Sequence, residues 1–258
     1  MLITTFDELH AWLKAFSDGE ITLMVIQARG GLGKTYQVKR AFAGVKINAF
    51  SGHATPLSIY KELYFNRDAP TVFDDVDALL HNKTTVALLK QICDTGENKT
   101  VRYTTTAPAA ADVPASYDTT TRTIIITNDL KRSGKNLGAL FTRGVVLEFA
   151  PSHDEVFKAL SSFAQDKEIL SFLSGIYERI EDFNFRHYEV ACQVKASGQD
   201  WRDWLERDTG AVNLMVVVRD CLLLSGDERF KLWVERSGLS RRSFYRYQKL
   251  YKEGDYSR

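Results

Sequence analysis

"QARGGLGKTY", residues 27–36, decides how this chain is read. A phosphate-binding loop has a glycine, four free positions and then Gly-Lys-Ser/Thr. Gly33, Lys34 and Thr35 supply the end of that pattern, and Ala28 stands where its first glycine is usual. Holding phosphate requires inward-turned backbone N–H groups, a helix N-terminus behind them and a cation. Gly30, Gly31 and Gly33, with Leu32 between them, let the backbone curl close to phosphate oxygens. Lys34 is placed to reach the β- and γ-phosphates and Thr35 to offer a hydroxyl to magnesium. Tyr36 follows at the same helix start.

The flanks suit such a loop. "ITLMVIQ" (21–27) is a short continuous apolar run, the pattern of a buried strand. "TYQVKRAFAG" continues as a helix that stops at Gly44. Further strands are predicted at 45–50, 71–77, 121–129 and 145–150, with helices at 6–17, 57–65, 84–96 and 136–143. Strands alternating with helices predict an α/β fold, a five-stranded parallel sheet flanked by helices. The segment 99–107 reads as a strand or hairpin arm, and the Ala/Thr-rich stretch 104–121 as a mobile loop. After Pro151 the pattern turns helical. The expected organisation is a nucleotide-binding domain over 1–150, a helical lid over 151–208 and a small helical domain over 209–258.

Two other strands end in polar groups. "VFDDVD" puts acids at a strand tip, where a magnesium-bound water can be held. Asp74 takes the magnesium role. Asp75 sits where a glutamate often polarises the attacking water, and its side chain is one methylene shorter. Asp77 reads better as the cap of the next helix. Asn128, ending "IIITN", stands at the carboxyl edge of the sheet, where open α/β sheets bind ligands. It fits both a γ-phosphate or water contact and a local turn.

Bulk properties bound the function. The 258 residues are 44% hydrophobic and 26% charged, enough for a globular protein with a true core. A net charge of +1 leaves any basic surface to be local. Cys93, Cys192 and Cys221 lack paired spacing, which argues against a disulfide framework or a zinc site. No apolar run has the length of a membrane span, and the first residues do not read as a secretion signal, so the expected location is cytosolic.

In order along the chain, "ARGGLGKT" as Walker A, "TVFDD" as Walker B and "IIITN" as sensor 1 resemble the AAA+ ATPase superfamily. "ALFTRGVVLEFAP" and "FNFRHYEVA" extend the resemblance, which covers roughly residues 1 to 208. It implies ATP and Mg2+ as cofactors and a ring or helical assembly, often a hexamer. It also implies Lys34, Asp75, Asn128 and Arg143 as the catalytic set. Arg143 would be the arginine finger, reaching a neighbouring subunit's γ-phosphate, with Arg132 in reserve. Arg186 would be sensor 2, joining lid to nucleotide. Superfamily III viral helicases share this motif order and place a DNA-contacting hairpin between Walker B and sensor 1. "ENKTVRYTTT" lies there, with Lys99 and Arg102 available to a phosphate backbone; an ordinary strand edge fits it as well.

Residues 229–258 hold nine Lys/Arg and three Asp/Glu. "GDERFKLWVERSGLSRRSFYRYQKLYKEG" has the form helix, glycine turn, helix, and resembles a helix-turn-helix. Arg241, Arg242, Tyr245, Arg246 and Lys249 are its candidate DNA contacts. The expected function is an ATPase that acts on DNA as motor, loader or remodeller, in a phage, plasmid or transposon setting with replication or recombination partners. An ATP-gated DNA-binding switch with slow turnover is the alternative. A small-molecule kinase would need neither the arginine in trans nor the basic tail.

Overall fold

A computed structural model of the chain describes residues 1–52, 54–74, 82–107, 110–128, 141–209 and 214–253. The chain divides into two compact units, Met1–Pro151 and Ser152–Arg258.

The first unit is built on strands β1 (Leu2–Ile3), β2 (Leu23–Gln27), β3 (Asn48–Ser51), β4 (Thr71–Asp74), β7 (Thr123–Thr127) and β8 (Val145–Phe149). They form a six-stranded parallel sheet in the order β1-β8-β2-β7-β4-β3. The strands β2 and β7 lie inside the sheet, and Leu23 to Ile26 and Thr123 to Thr127 are all buried, as two covered faces require. The sheet has one strand more than the five expected. Leu2 and Ile3 pair with Glu148 and Phe149, a contact too short to leave a pattern in the sequence.

Helices cover the sheet. In α1 (Phe6–Ser17) the residues Phe6, Leu9, Leu13 and Phe16 are buried at helical spacing, and Thr5 with Glu8 closes a capping box. Following β2 comes α2 (Lys34–Ala41); α3 (Pro56–Phe65) and α4 (Lys83–Ile92) are capped by Thr55 and Asn82. Part of the stretch read as a mobile loop is ordered. Ser116–Thr119 forms β6, antiparallel to β5 (Lys99–Arg102). Tyr117 and Thr119 point inward by simple alternation, and Tyr117 packs on Tyr60 and Tyr64 at 4.9 and 5.3 Å between ring centres. The Ala/Thr richness around this segment hid a period of two.

The second unit holds α5 (His153–Phe163), α6 (Lys167–Ser174), a 3-10 turn (Tyr177–Arg179), α7 (Phe185–Ala196) and α8 (Trp201–Thr209). The helix α6 ends at Gly175, its C-cap. Beyond these lie α9 (Leu214–Leu222), α10 (Gly226–Ser237) and α11 (Arg241–Glu253). Val217, Val218, Cys221, Trp233 and Phe244 form their core. Gly238 makes the turn at φ +66°, a conformation that side chains resist. The Trp233 indole N–H fastens it by donating to the Ser240 carbonyl (3.1 Å) and Ser243 Oγ (3.2 Å). Arg236 bridges Glu206 of α8 and Asp220 of α9.

Candidate functional site

Parallel strands end together, so β2, β7 and β4 deliver three tips to one edge of the sheet. The register pairs Gln27 with Thr127 and Asp74 with Ile126, with β7 between the other two. Neighbouring strands lie about 4.8 Å apart, so side chains from the three tips reach one another.

They do. Lys34 is 8% exposed, and its ammonium donates to the carbonyls of Ala28 (2.5 Å) and Arg29 (2.8 Å) and to Asn128 Oδ1 (2.9 Å). The Thr35 hydroxyl donates to Asp74 Oδ2 at 2.6 Å. The lysine and threonine of the glycine-rich loop are thus joined to the residues at the tips of β7 and β4. Asn128, which fitted both a site contact and a local turn, accepts from Lys34 across 94 positions. The carbonyls of Ala28 and Arg29 were missed as Lys34 partners, and nothing in their side chains signals that role.

The loop has the conformation the pattern needs. Gly31 and Gly33 sit at φ +78° and +70°, where a Cβ would be strained. Ala28 is buried and its N–H donates to the Thr127 carbonyl at 3.2 Å, so the unusual alanine continues the sheet contact. Leu32 is buried, Gly30 and Tyr36 are exposed. Gly33 is the N-cap of α2 and no side chain caps that helix, whereas Thr5, Thr55, Asn82, Ser152, Asp166 and Asn184 each cap theirs. Uncapped first-turn N–H groups beside a buried lysine form a cradle suited to phosphate oxygens. The hydroxyl and carboxylate of Thr35 and Asp74 are hard oxygen donors suited to magnesium. Asp75, Asp77 and Arg132 lie outside the described residues.

Arg143 stands at the opposite, amino edge, just before β8. Its guanidinium donates to the Lys90 carbonyl at the end of α4 (3.0 Å) and lies 3.7 Å from Asp94. A finger role for it requires a neighbouring subunit. Arg186 is exposed in the first turn of α7.

No family model matches the chain. It is 26% identical over 168 residues to an uncharacterized 36.7 kDa protein of Enterobacteria phage T4 from the nrdC-mobD intergenic region, covering 58% of this chain. The match takes in 51% of that protein, so the chain spans about half the length of this curated relative. Among solved structures it is similar to AMPPCP-bound DnaA from Aquifex aeolicus (TM-score 0.48, 13% identity, 98% of this chain, 87% of that one). It is also similar to a DNA replication initiation factor (0.44, 17%, 94%, 81%) and to katanin in a study of its self-assembly (0.45, 14%, 75%, 68%). The fold itself is α/β, a six-stranded parallel sheet followed by helices.

The two stretches read as candidate DNA contacts fare differently. Lys99 is 3% exposed, and its ammonium donates to the Thr121 carbonyl at 2.5 Å. Burial holds its pKa below the ordinary lysine value. The expectation that Lys99 meets a phosphate backbone is corrected: its charge is buried at the base of the β5–β6 pair. Arg102 is exposed, with its backbone tied to the Gln91 amide. The connection 103–115 contains one acid and no Lys or Arg, so the far end of the hairpin offers no cation to DNA.

In α11, Phe244 is fully buried and Tyr247 and Tyr251 pack against the core. Arg241, Arg242, Tyr245, Arg246 and Lys249 are exposed. Arg241 lies over the Phe230 ring at 3.9 Å and faces Asp227, so part of its charge is spent within the fold. Arg242, Tyr245, Arg246 and Lys249 recur at helical spacing on an outward strip. Among the described residues no helix is long and apolar enough to cross a membrane.

Proposed function

We propose that this chain is an ATPase that binds ATP with Mg2+ and couples its use to DNA. The supporting observation is the joining of Lys34 to Asn128 and of Thr35 to Asp74 at one sheet edge. Lys34 and the α2 amides would hold the phosphates, and Asn128 would orient Lys34 and the terminal phosphate. Thr35 and Asp74 would keep a magnesium ion, which neutralises charge on the β- and γ-oxygens. Asp75 would orient the attacking water. Arg143 would act in trans, which makes oligomerisation part of the reading. The outward strip of α11 would meet DNA, by phosphate contacts from its cations and base-edge contacts from Arg242 and Arg246.

Steady-state hydrolysis with and without DNA tests this in wild type, Lys34→Ala and Arg143→Ala. A DNA-stimulated rate is expected, abolished by the first change and strongly reduced in the assembled protein by the second. Normal turnover in assembled Arg143→Ala removes the finger. Aspartate in place of glutamate at position 75 favours the ATP-gated switch as the second reading. In that case ATP promotes assembly on DNA with negligible turnover.

A further inference from the structure

The amino edge of the sheet, remote from the phosphate loop, carries a groove that neither the ATP site nor α11 accounts for. It has a volume of about 500 Å3 and is lined by Lys46 and by Tyr64 to Ala69. Lys46 precedes β3, and 66–70 links α3 to β4.

Two features set this groove apart. Its framework is fixed. The Arg67 carbonyl accepts from the Thr119 hydroxyl, the Asn66 carbonyl from Asn48 Nδ2 (3.2 Å) and the Ala69 N–H (3.0 Å). Asp68, the one acid in its lining, accepts from the Thr120 hydroxyl at 3.2 Å. On that framework stand side chains that the fold does not bury. Phe65 is 59% exposed and meets Tyr64 edge-to-face at 5.3 Å. Arg67 lies 6.0 Å from the Tyr64 ring centre, and Lys46, also in the lining, is exposed.

A ligand matching two exposed cations beside one open ring, Phe65, carries anionic groups next to a flat apolar one. A nucleotide strand repeats that alternation, and its bases are open to rings only when unpaired. We propose that this groove binds single-stranded DNA. A base would stack on Phe65, and flanking phosphates would meet Lys46 and Arg67. The proposal rests on the DNA-acting reading above and adds to it a second contact, on the first unit and specific for single strands.

The test uses the full chain and a thymidine oligonucleotide carrying 4-thiothymidine, photocrosslinked and mapped by mass spectrometry. An adduct within Tyr64–Arg67 is expected. It should vanish in Lys46→Glu/Arg67→Glu, with circular dichroism unchanged. The slope of log affinity against log salt should fall by about 1.4, two single-strand phosphate contacts. Phe65→Ala, a change at an exposed position, should weaken oligonucleotide binding by roughly tenfold. Adducts confined to 241–253, with Phe65→Ala binding like wild type, overturn the groove and leave the DNA reading standing. Absence of any oligonucleotide or duplex binding overturns both. Tighter Phe65-dependent binding of a poly-glutamate peptide than of the oligonucleotide makes the groove a protein site and overturns the proposal.

Discussion

The two edges of the parallel sheet solve one problem in the same way and to different ends. At both, a cation is clasped by backbone carbonyls. At the carboxyl edge Lys34 holds Ala28 and Arg29. At the amino edge Lys99 holds Thr121, Arg143 holds Lys90, and Arg122 holds Phe16 and Ser17. The amino-edge arginines close helix ends, where orphan carbonyls and a partial negative charge invite a cation. Lys34 closes nothing. It lies among left-handed glycines, an uncapped helix start, Asn128 and the Thr35–Asp74 pair. A buried cation therefore marks a site only when other groups of matching chemistry converge on it.

The contrast breaks most visibly on Lys34. Lys34→Ala should lower turnover by about 100-fold or more, as loss of one charge-stabilising donor does. Lys99→Met should leave nucleotide affinity unchanged, and an equal loss from both, read by fluorescent-nucleotide titration, erases the distinction. Next, Asp74→Asn should weaken nucleotide binding in Mg2+ by roughly tenfold and leave it unaltered in EDTA. A loss that persists in EDTA would make Asp74 a structural support. At the other edge Arg122→Ala should cost about 1–3 kcal/mol in denaturant unfolding with no change in nucleotide affinity, since its guanidinium holds carbonyls at the end of α1.

Taken over one pH unit, the smallest effect concerns Cys93, whose thiol burial pushes up to about 12. Its folded pKa exceeds the unfolded value of 9.0, so its contribution is complete below pH 9 and falls as pH rises toward 12. Wild type should lose stability relative to Cys93→Ala by at most about 1.4 kcal/mol per pH unit in that window. Parallel pH profiles of the two unfolding midpoints would show the thiol to be ionised instead.

Legibility in the sequence follows the range of the forces involved. The glycine-rich loop could be read because glycine φ angles, a lysine and a hydroxyl must be adjacent in the chain. Asn128 was visible as a polar residue closing an apolar run, although its bond to Lys34 spans 94 positions. The α/β class followed from local periodicity. What stayed hidden depends on remote partners. Strand β1 is two residues long and exists through β8. Lys99 looks like a surface cation until the Thr121 carbonyl is placed over it. Arg122 has no local pattern at all, since its acceptors lie over a hundred residues away.

Trp233 offers a use beyond architecture. Its indole is fully buried and hydrogen-bonded across the turn leading into the basic helix. Light emitted by this ring therefore depends on whether α10 and α11 stay seated together. Any event that pries the basic helix from its neighbours should shift that emission to the red, an optical signal read without a dye once Trp12, Trp201 and Trp204 are replaced by Phe.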